Sequence, residues 1–580
     1  MFLASRVYPP EQVEAGAQTP PKDRSPRETR WATAILVGAL APALAAIWAV
    51  PWFVPQDAPA HVYNAQILLQ SFDPASPFRD VYTAKWRPIP NWAGPLALAG
   101  LVAILPAWVA DRIMTSLTLV SFAAAVFWLR WRVAGARGLR VAALLAALLA
   151  MNIAWLFGFT SFILGACLFP ITLGLWWPAR DRLSVPRLTA LAVLLMLGYF
   201  CHLVSLGLTV GGLFVLAVAS PVTNGRAMPR HPWFSRLART CATFMPVVFL
   251  GISYLAMATQ RGPMRPQWAH LSNLWSPLAW IVQFEWVDPI SLAIRDGLPL
   301  TERYGLQFGV FAPVIWLAAA IVLWWYGTMS GGLTSWVQGD RRGWLLLAAI
   351  LMIGGAAGPD SLGAAHGDYL PQRIVLIGLV ALVPIFDVDA SRWCGRICTT
   401  ALVLAVGLQT AVVWDYALFS NRTAGQMIRA GEAIGHNQRI ATLLVSTRSR
   451  FRSNPLLHAD NWLGVDSGNV VWSNYETRHY YFPVHFRPDI QRPDPADLEW
   501  ISIHEGPSEA EERAGAWERI LSQHAESIDV VVVWKSDPAL DSITSRWFDR
   551  VDRRGDVQIF RRGTLKPNAE LMRGSKSTIR

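Results

Sequence analysis

The sequence predicts a polytopic α-helical membrane protein, with about 11–13 transmembrane helices and a C-terminal soluble α/β domain. Three observations carry that expectation. Of the 580 residues, 53% are hydrophobic and only 16% are charged, against roughly 25% charged in soluble domains. From Trp31 to Ser420 one apolar run follows another, each near the roughly 20 residues that cross a bilayer. Beyond that point the composition turns polar, and the β-branched run Ile528-Asp529-Val530-Val531-Val532-Val533-Trp534 has the length of a strand.

Residues 1–30 form a cytoplasmic tail with no apolar stretch ahead of its charges. A cleaved signal peptide is therefore not expected, and the first apolar run, 32–54, reads as a retained helix. Further spans are expected at 93–109, 110–131, 139–157, 159–178, 187–203, 204–220, 238–258, 306–327, 343–357, 373–386 and 398–420. Arginines gather at 24–30, 130–140, 180–187, 226–239, 341–342 and 392–396, whereas 55–92, 259–305 and 358–372 are long loops poor in net charge. The two sets alternate, which puts the arginine loops in the cytoplasm and the long loops outside. If 93–109 and 110–131 both crossed, the arginine loop 130–140 would fall on the wrong side. A turn at Leu105-Pro106-Ala107-Trp108 that dips without crossing restores the pattern and gives an odd number of spans. Residues 31–420 are then the membrane body and 421–580 an extracytoplasmic domain. In that domain, strands are expected at 440–445, 470–475, 479–486, 528–534 and 557–560, with a helix over 508–527.

Charge and cysteines exclude several classes. The net charge of +11 would suit nucleic acid, but the arginines sit in short loops between apolar runs, as membrane orientation requires, so no nucleic-acid partner is expected. The five cysteines, Cys167, Cys201, Cys241, Cys394 and Cys398, all precede the soluble domain. That domain therefore has neither a disulfide framework nor a thiolate metal site. No glycine-rich phosphate loop follows any strand candidate, and neither a metal nor a cofactor is expected.

The chemistry-bearing residues collect in the outer loops. In Gln56-Asp57-Ala58-Pro59-Ala60-His61, Asp57 follows the first span and His61 lies one helical turn on, on the same face. Two readings of Asp57 stand side by side: a helix N-cap with Pro59 in the first turn, or a carboxylate poised for proton transfer at the membrane surface. Further along this loop, Lys85 and Arg87 suit a lipid phosphate or a snorkelling pair beside Trp86. His202 sits in the break between two spans. His366 and Asp368 precede Arg373, which stands at the entrance of an apolar helix where a guanidinium needs an anion or carbonyl partner. The loop 259–305 adds Arg261, Arg265, His270, Glu285, Asp288 and Arg303 among tryptophans. Within the spans themselves, ionisable residues reduce almost to Asp111, His202 and Asp415. Proton-coupled transport needs such groups near the midplane, so the pattern favours chemistry at one membrane face.

The order of these parts resembles the GT-C superfamily of membrane glycosyltransferases, which includes protein O-mannosyltransferases and aminoarabinose transferases. An acidic residue follows the first span in Asp57-Ala58-Pro59-Ala60-His61, and a long outer loop leads into Pro90-Asn91-Trp92-Ala93-Gly94-Pro95-Leu96. The phrases Gly158-Phe159-Thr160-Ser161-Phe162 and Tyr199-Phe200-Cys201-His202 are similar to those of bacterial members. The likeness covers roughly 31–420. It departs where Ala58 stands in place of the second acidic residue that many members carry, and no Asp-x-Asp metal motif is present. The resemblance implies an enzyme of the bacterial inner membrane that transfers a sugar from a polyprenyl-phosphate donor to a glycan, lipid or protein acceptor on the outer face. It maps the catalytic acid onto Asp57 only, and His61 is a candidate supporting neighbour from its place one turn along. Lys85, Arg87 and Arg373 are the candidate phosphate ligands, and His202, His366 and Asp368 are further candidates for substrate contact. A transporter or flippase of a lipid-linked glycan, or a non-catalytic assembly partner, are the alternatives.

Overall fold

The computed structural model describes residues 25–221, 232–260, 265–268, 325, 339–363, 367–445, 447, 449–503 and 509–563. The expected span at 306–327, most of the loop 259–305 and His366 lie outside the described residues.

Helix α1 (Pro26–Ala49) starts where Ser25 accepts a hydrogen bond from the Glu28 N–H, with Pro26 in the first turn. An outer segment follows, holding α2 (Ala58–Gln70), β1 (Tyr82–Ala84) and α3 (Ala93–Val102). The chain then runs through α4 (Ala107–Ala134), α5 (Leu139–Ala150), α6 (Ile153–Leu156) and α7 (Thr160–Trp176). Next come α8 (Val185–Cys201), α9 (Leu203–Ala219), α10 (Pro232–Ala242) and α11 (Met245–Thr259), and then α12 (Arg341–Ala357), α13 (Leu370–Leu382) and α14 (Trp393–Ile434).

Among the described residues, five helical stretches are long and apolar enough to cross a membrane: α1, α4, α5 continued through α6, α7 and α14. The pair α10 and α11, bent by 51°, makes a sixth if taken as one span. Helices α8 and α9, at 17 residues each, reach about 25 Å, close to the ~30 Å of a hydrocarbon core. Helix α3 has only 10 residues and reaches about 15 Å, half the thickness of a hydrocarbon core. Exposed Leu96 on it and Ile104 just after it form an apolar outer side.

The loops sort to two ends of the bundle. At one end, Asp387 pairs with Arg130, Arg137 and Arg341, Arg180 with Asp340, Arg236 with Asp181, and Arg140 with Glu28. These are the arginine loops of the sequence. The segments around Asp57 and Asp368 meet at the other end.

Helix α14 spans 42 residues without a break and ends at Gly435, whose φ of 81° suits the C-terminal stop of a helix. The boundary expected near residue 420 thus falls inside one helix, which rises out of the bundle as a stalk. The domain beyond it is built on a five-stranded sheet of order β3-β2-β5-β7-β6, comprising β2 (Arg439–Leu444), β3 (Val470–Val471), β5 (Val530–Trp534), β6 (Phe548–Arg554) and β7 (Val557–Arg562). Strands β3, β2 and β5 are parallel, and the β6–β7 hairpin adds antiparallel to β5. Every residue of β5 is buried, as a β-branched run in the middle of a covered sheet should be. Helices α15 (Pro495–Ile503), α16 (Ala510–His524) and α17 (Pro538–Thr544) complete the domain.

This domain is not a separate body. Strand β4 (Val484–Phe486) pairs antiparallel with β1 of the first outer loop, with Tyr82 opposite Phe486 and Ala84 opposite Val484. Residues of α2, α3 and the start of α4, among them Val62, Tyr63, Leu98 and Met114, share one apolar cluster with the sheet. The polar side chains of α2 are used up in the same contact. The Tyr63 hydroxyl donates to the Asn469 carbonyl at 2.8 Å, Asn64 bonds Asn474, and Gln66 bonds Asp466. Helix α2 is therefore a layer between bundle and domain.

Candidate active site

The chain between α1 and α2 is extended and pinned from three sides, and this sets the position of Asp57. The Arg112 guanidinium on α4 donates to the carbonyls of Val50 and Pro51. From α14, the Ser420 hydroxyl accepts from the Val54 N–H at 2.8 Å, and the Tyr416 hydroxyl donates to the Val54 carbonyl at 2.7 Å. The turn between α6 and α7 supplies carbonyl acceptors, Leu156 for the Gln56 N–H (3.1 Å) and Phe157 for the Asp57 N–H (3.0 Å). That turn closes through Gly158 at φ 76°. A Cβ there would lie 3.0 Å from the Ala58 nitrogen and 3.1 Å from the Asp57 nitrogen, so only glycine allows the approach.

Asp57 occupies the N-cap position of α2, yet its side chain makes no capping hydrogen bond. The carboxylate turns instead into a cavity of about 350 Å³ between the bundle and the C-terminal domain. It accepts from the Gln56 side-chain amide at 3.4 Å, and the Tyr475 hydroxyl faces it as a second donor. Burial pushes the carboxyl up to about 6, and the positive charge on His61 and the Tyr475 and Gln56 donors hold it from going higher. His458 Nε2 lies 3.7 Å from Asp57 Oδ1. Burial and the nearby His61 charge hold His458 down at about 3, so at neutral pH this contact is between a carboxylate and a neutral imidazole, not an ion pair. The His458 ring stacks on Tyr475, centroids 4.3 Å apart.

His61, one turn along α2, points elsewhere. Its Nδ1 meets the Glu476 carboxylate and its Nε2 lies 2.9 Å from the Gly158 carbonyl.

The bundle side of the cavity carries the opposite charge. Arg373 is buried on α13, with its guanidinium over the rings of Phe159 (4.5 Å) and Phe162 (5.3 Å). Its Nη1 lies 3.2 Å from His202 Nε2, while His202 Nδ1 accepts from the Val204 N–H. A neutral imidazole accepting at Nδ1 carries its proton on Nε2, so two donors face each other there with no acceptor between them. The Arg373 Nε is buried without a hydrogen-bond partner, and so is the Asn91 Oδ1 on the same cavity wall. Asn91 (φ 65°) and Tyr369 (φ 56°) hold left-handed backbone conformations that non-glycine residues seldom adopt. Strain of this kind gathers at binding sites.

Of the residues singled out from the sequence, the cavity brings together Asp57, His61, His202, Asp368 and Arg373. Lys85 and Arg87 are exposed just after β1 and do not line it. Sequence reasoning missed Asn91, His458, Tyr475, Glu476 and Tyr481. The last four come from the soluble domain, and no spacing relates them to Asp57. For three of these the one signal is the density of polar aromatics in Asn474-Tyr475-Glu476-Thr477-Arg478-His479-Tyr480-Tyr481-Phe482, and His458 has none. Among the described residues, no three His, Cys, Asp or Glu side chains stand close enough to share a metal ion.

No protein-family model matches this sequence, and no curated protein matches it in sequence. Among solved structures, the chain is similar to the arabinofuranosyltransferase AftD from mycobacteria, at TM-score 0.41 and 16% identity over 91% of this chain. It spans 40% of the length of that enzyme. It is similar to ArnT from Cupriavidus metallidurans, solved bound to undecaprenyl phosphate, at TM-score 0.47 and 12% identity over 92% of this chain and 98% of that one. A third likeness is to the Archaeoglobus fulgidus oligosaccharyltransferase, at TM-score 0.39 and 11% identity over 86% of this chain and 67% of that one. With every TM-score under 0.5, the likeness is one of general arrangement, and the chemistry has to come from the cavity itself.

Proposed function

We propose that this chain is a GT-C-type membrane glycosyltransferase that moves a sugar from a polyprenyl-phosphate donor to an acceptor at the outer face of a bacterial inner membrane. One observation carries the reading. A half-open cavity at the bundle–domain junction holds a carboxylate whose pKa is raised to about 6 and, with it, an incompletely bonded guanidinium.

Each group fits one half of the transfer. Asp57 accepts the proton of the acceptor hydroxyl as its oxygen attacks the anomeric carbon of the sugar. The bond from that carbon to the phosphate oxygen breaks, and the departing lipid phosphate takes up negative charge. Arg373 and the His202 Nε2–H, two donors that share no acceptor, meet that charge and stabilise it as it develops. Asn91 Oδ1, an acceptor without a donor, suits a sugar hydroxyl, and Asp368 at the mouth suits another. The Tyr475, Tyr481 and Phe482 side of the cavity receives the acceptor. Lys85 and Arg87, lying outside, meet lipid headgroups during the donor's approach.

The test is reconstitution in vesicles with a radiolabelled polyprenyl-phosphate sugar and a mixture of membrane acceptors. Label moving from the lipid to a new product supports the reading. Label crossing the bilayer with its lipid intact would make the protein a flippase, and neither result across several sugars would leave an assembly role.

A further inference from the structure

His61 sits in a setting that fixes its charge. Glu476 Oε1 lies against Nδ1, and the Gly158 carbonyl lies 2.9 Å from Nε2. The Gly158 carbonyl can only accept, which puts a proton on Nε2, and where Glu476 stands against Nδ1 as a carboxylate it accepts too, so that both ring nitrogens donate. That is possible only for the imidazolium. Glu476 is 1% exposed and is itself oriented by the Asn64 amide, which donates to its Oε2 at 2.8 Å. A carboxylate buried this deeply needs a counter-charge, and His61 supplies it.

Resting on the glycosyltransferase reading, we infer that Glu476 of the C-terminal domain is a positioning residue that keeps His61 an imidazolium, and that this imidazolium keeps the base Asp57 ionised at working pH. His61 is then neither the base nor a proton shuttle. It is a fixed cation one turn from the reacting carboxylate, and its charge depends on a residue contributed by the other half of the molecule. The direction of its titration agrees. Burial pulls the imidazole down, but the Glu476 charge and hydrogen bond, with Asp57 and the Gly158 carbonyl behind them, outweigh it and hold the ring at about 9.

Other groups face the two residues. Asp111 on α4 and neutral His458 lie within electrostatic reach of His61. Asp57 faces Glu476 and Tyr475 from the domain, Arg373 and Tyr369 from the α13 side, and Tyr416 from α14. Among the cations, Arg373 is committed to the phosphate side, which leaves His61 as the group answering Asp57.

Replacing Glu476 by Gln keeps an acceptor for Nδ1 and nearly the same volume, and removes the charge together with the acceptor for the Asn64 amide. In the full-length protein in nanodiscs with ¹⁵N-labelled histidine, the ring signal that disappears in His61→Gln is expected to show two protonated nitrogens at pH 7.5. In Glu476→Gln it is expected to collapse to a neutral tautomer at that pH. The acid limb of the transfer rate against pH moves upward in the same variant, because the carboxylate loses the His61 charge that favours its ionised form, with a loss of tenfold or more at pH 7 and recovery at higher pH. Glu476→Asp, which keeps the charge, restores the doubly protonated signal and guards against simple misfolding. A neutral His61 ring in the wild type would overturn the inference. So would Glu476→Gln with the doubly protonated signal and acid limb unchanged. The failure of the parent reading is separate: an Asp57→Asn protein that transfers at the wild-type rate leaves the histidine spectrum as it was.

Discussion

Asp57 carries two jobs that a helix start and an active site would each assign to a carboxylate, and the geometry separates them. As a cap it would turn back to the N–H groups of the first turn. It does not, and its N-cap position is fixed instead by main-chain hydrogen bonds to Leu156 and Phe157. The side chain is free for the cavity. Arg373 is the complementary case: a guanidinium taken out of water, held over two phenylalanine rings and left with an unpartnered Nε. On the proposed function, removing it costs a donor phosphate a charge-assisted contact worth about 1.5–3 kcal/mol. Arg373→Ala is therefore expected to weaken binding of a polyprenyl phosphate about tenfold or more, measured by titration in detergent micelles. Lys85→Ala, at the exposed rim, is expected to shift that affinity by less than threefold. Equal losses in both variants would move the phosphate out of the cavity.

At the level of elements, the turn joining α6 to α7 is the part on which the site depends most. Asn152 caps α6 by accepting from the Trp155 N–H at 2.9 Å, and two carbonyls of the same short stretch hold Gln56 and Asp57. Gly158 completes the turn and presents its carbonyl to His61. Alanine at this position meets a left-handed φ and two backbone nitrogens at 3.0 and 3.1 Å. The strain is of the order of 1–3 kcal/mol, and its relief displaces Asp57. Gly158→Ala is expected to lower the melting temperature by a few degrees and to cost activity beyond what that loss of stability explains. A variant that melts lower but transfers normally would show that the turn serves only folding. This element was legible in the sequence as a phrase, Gly158-Phe159-Thr160-Ser161-Phe162, but not as a position. Nothing in the spacing of residues 57 and 158 says that their backbones touch. The same limit applied to the soluble domain. Its strand at 530–534 and helix at 510–524 could be read from composition and period, because burial on both faces and an amphipathic pattern are local signals. The pairing of β1 with β4 could not, since three-residue strands separated by hundreds of residues leave no periodic trace. The composition change near residue 420 marks where α14 leaves the apolar layer. The helix itself continues because no proline interrupts it before Gly435, where the backbone turns left-handed.

For the whole molecule, the arginine loops and the cavity lie at opposite ends of the bundle, and the alternation of charge along the sequence anticipates that separation. We propose from this alternation that the cavity and residues 421–580 face away from the cytoplasm. A periplasm-dependent phosphatase fused after Arg580 is expected to be active, and a fluorescent protein that folds only in the cytosol is expected to stay dark. The reverse pattern would move the proposed chemistry to the other face. The division of the molecule matters equally for the reaction. The proposed base comes from the first outer loop, the guanidinium from α13, and Tyr475 and His458 beside Asp57 from the soluble domain. A reader of the sequence finds the first two by asking where ionisable residues stand at membrane boundaries. The third set needs the fold, because it reaches the site only through the burial of α2 between two layers.

The account therefore rests on Asp57 as the base, and one substitution isolates that role. Asp57→Asn keeps shape, volume and the ability to cap a helix. It also removes a carboxylate whose raised pKa means that its ionised form costs the fold stability as pH rises from about 4 through about 6. The variant should thus express and bind polyprenyl phosphate like the wild type, with a melting temperature at pH 7.5 that is equal or higher. In the reconstituted assay with labelled donor, sugar transfer is expected to fall by a factor of about 10²–10⁴, the usual contribution of a positioned proton acceptor. The wild-type rate should lose activity below about pH 6. A well-folded Asp57→Asn protein that binds the donor and transfers sugar at the wild-type rate would contradict the account.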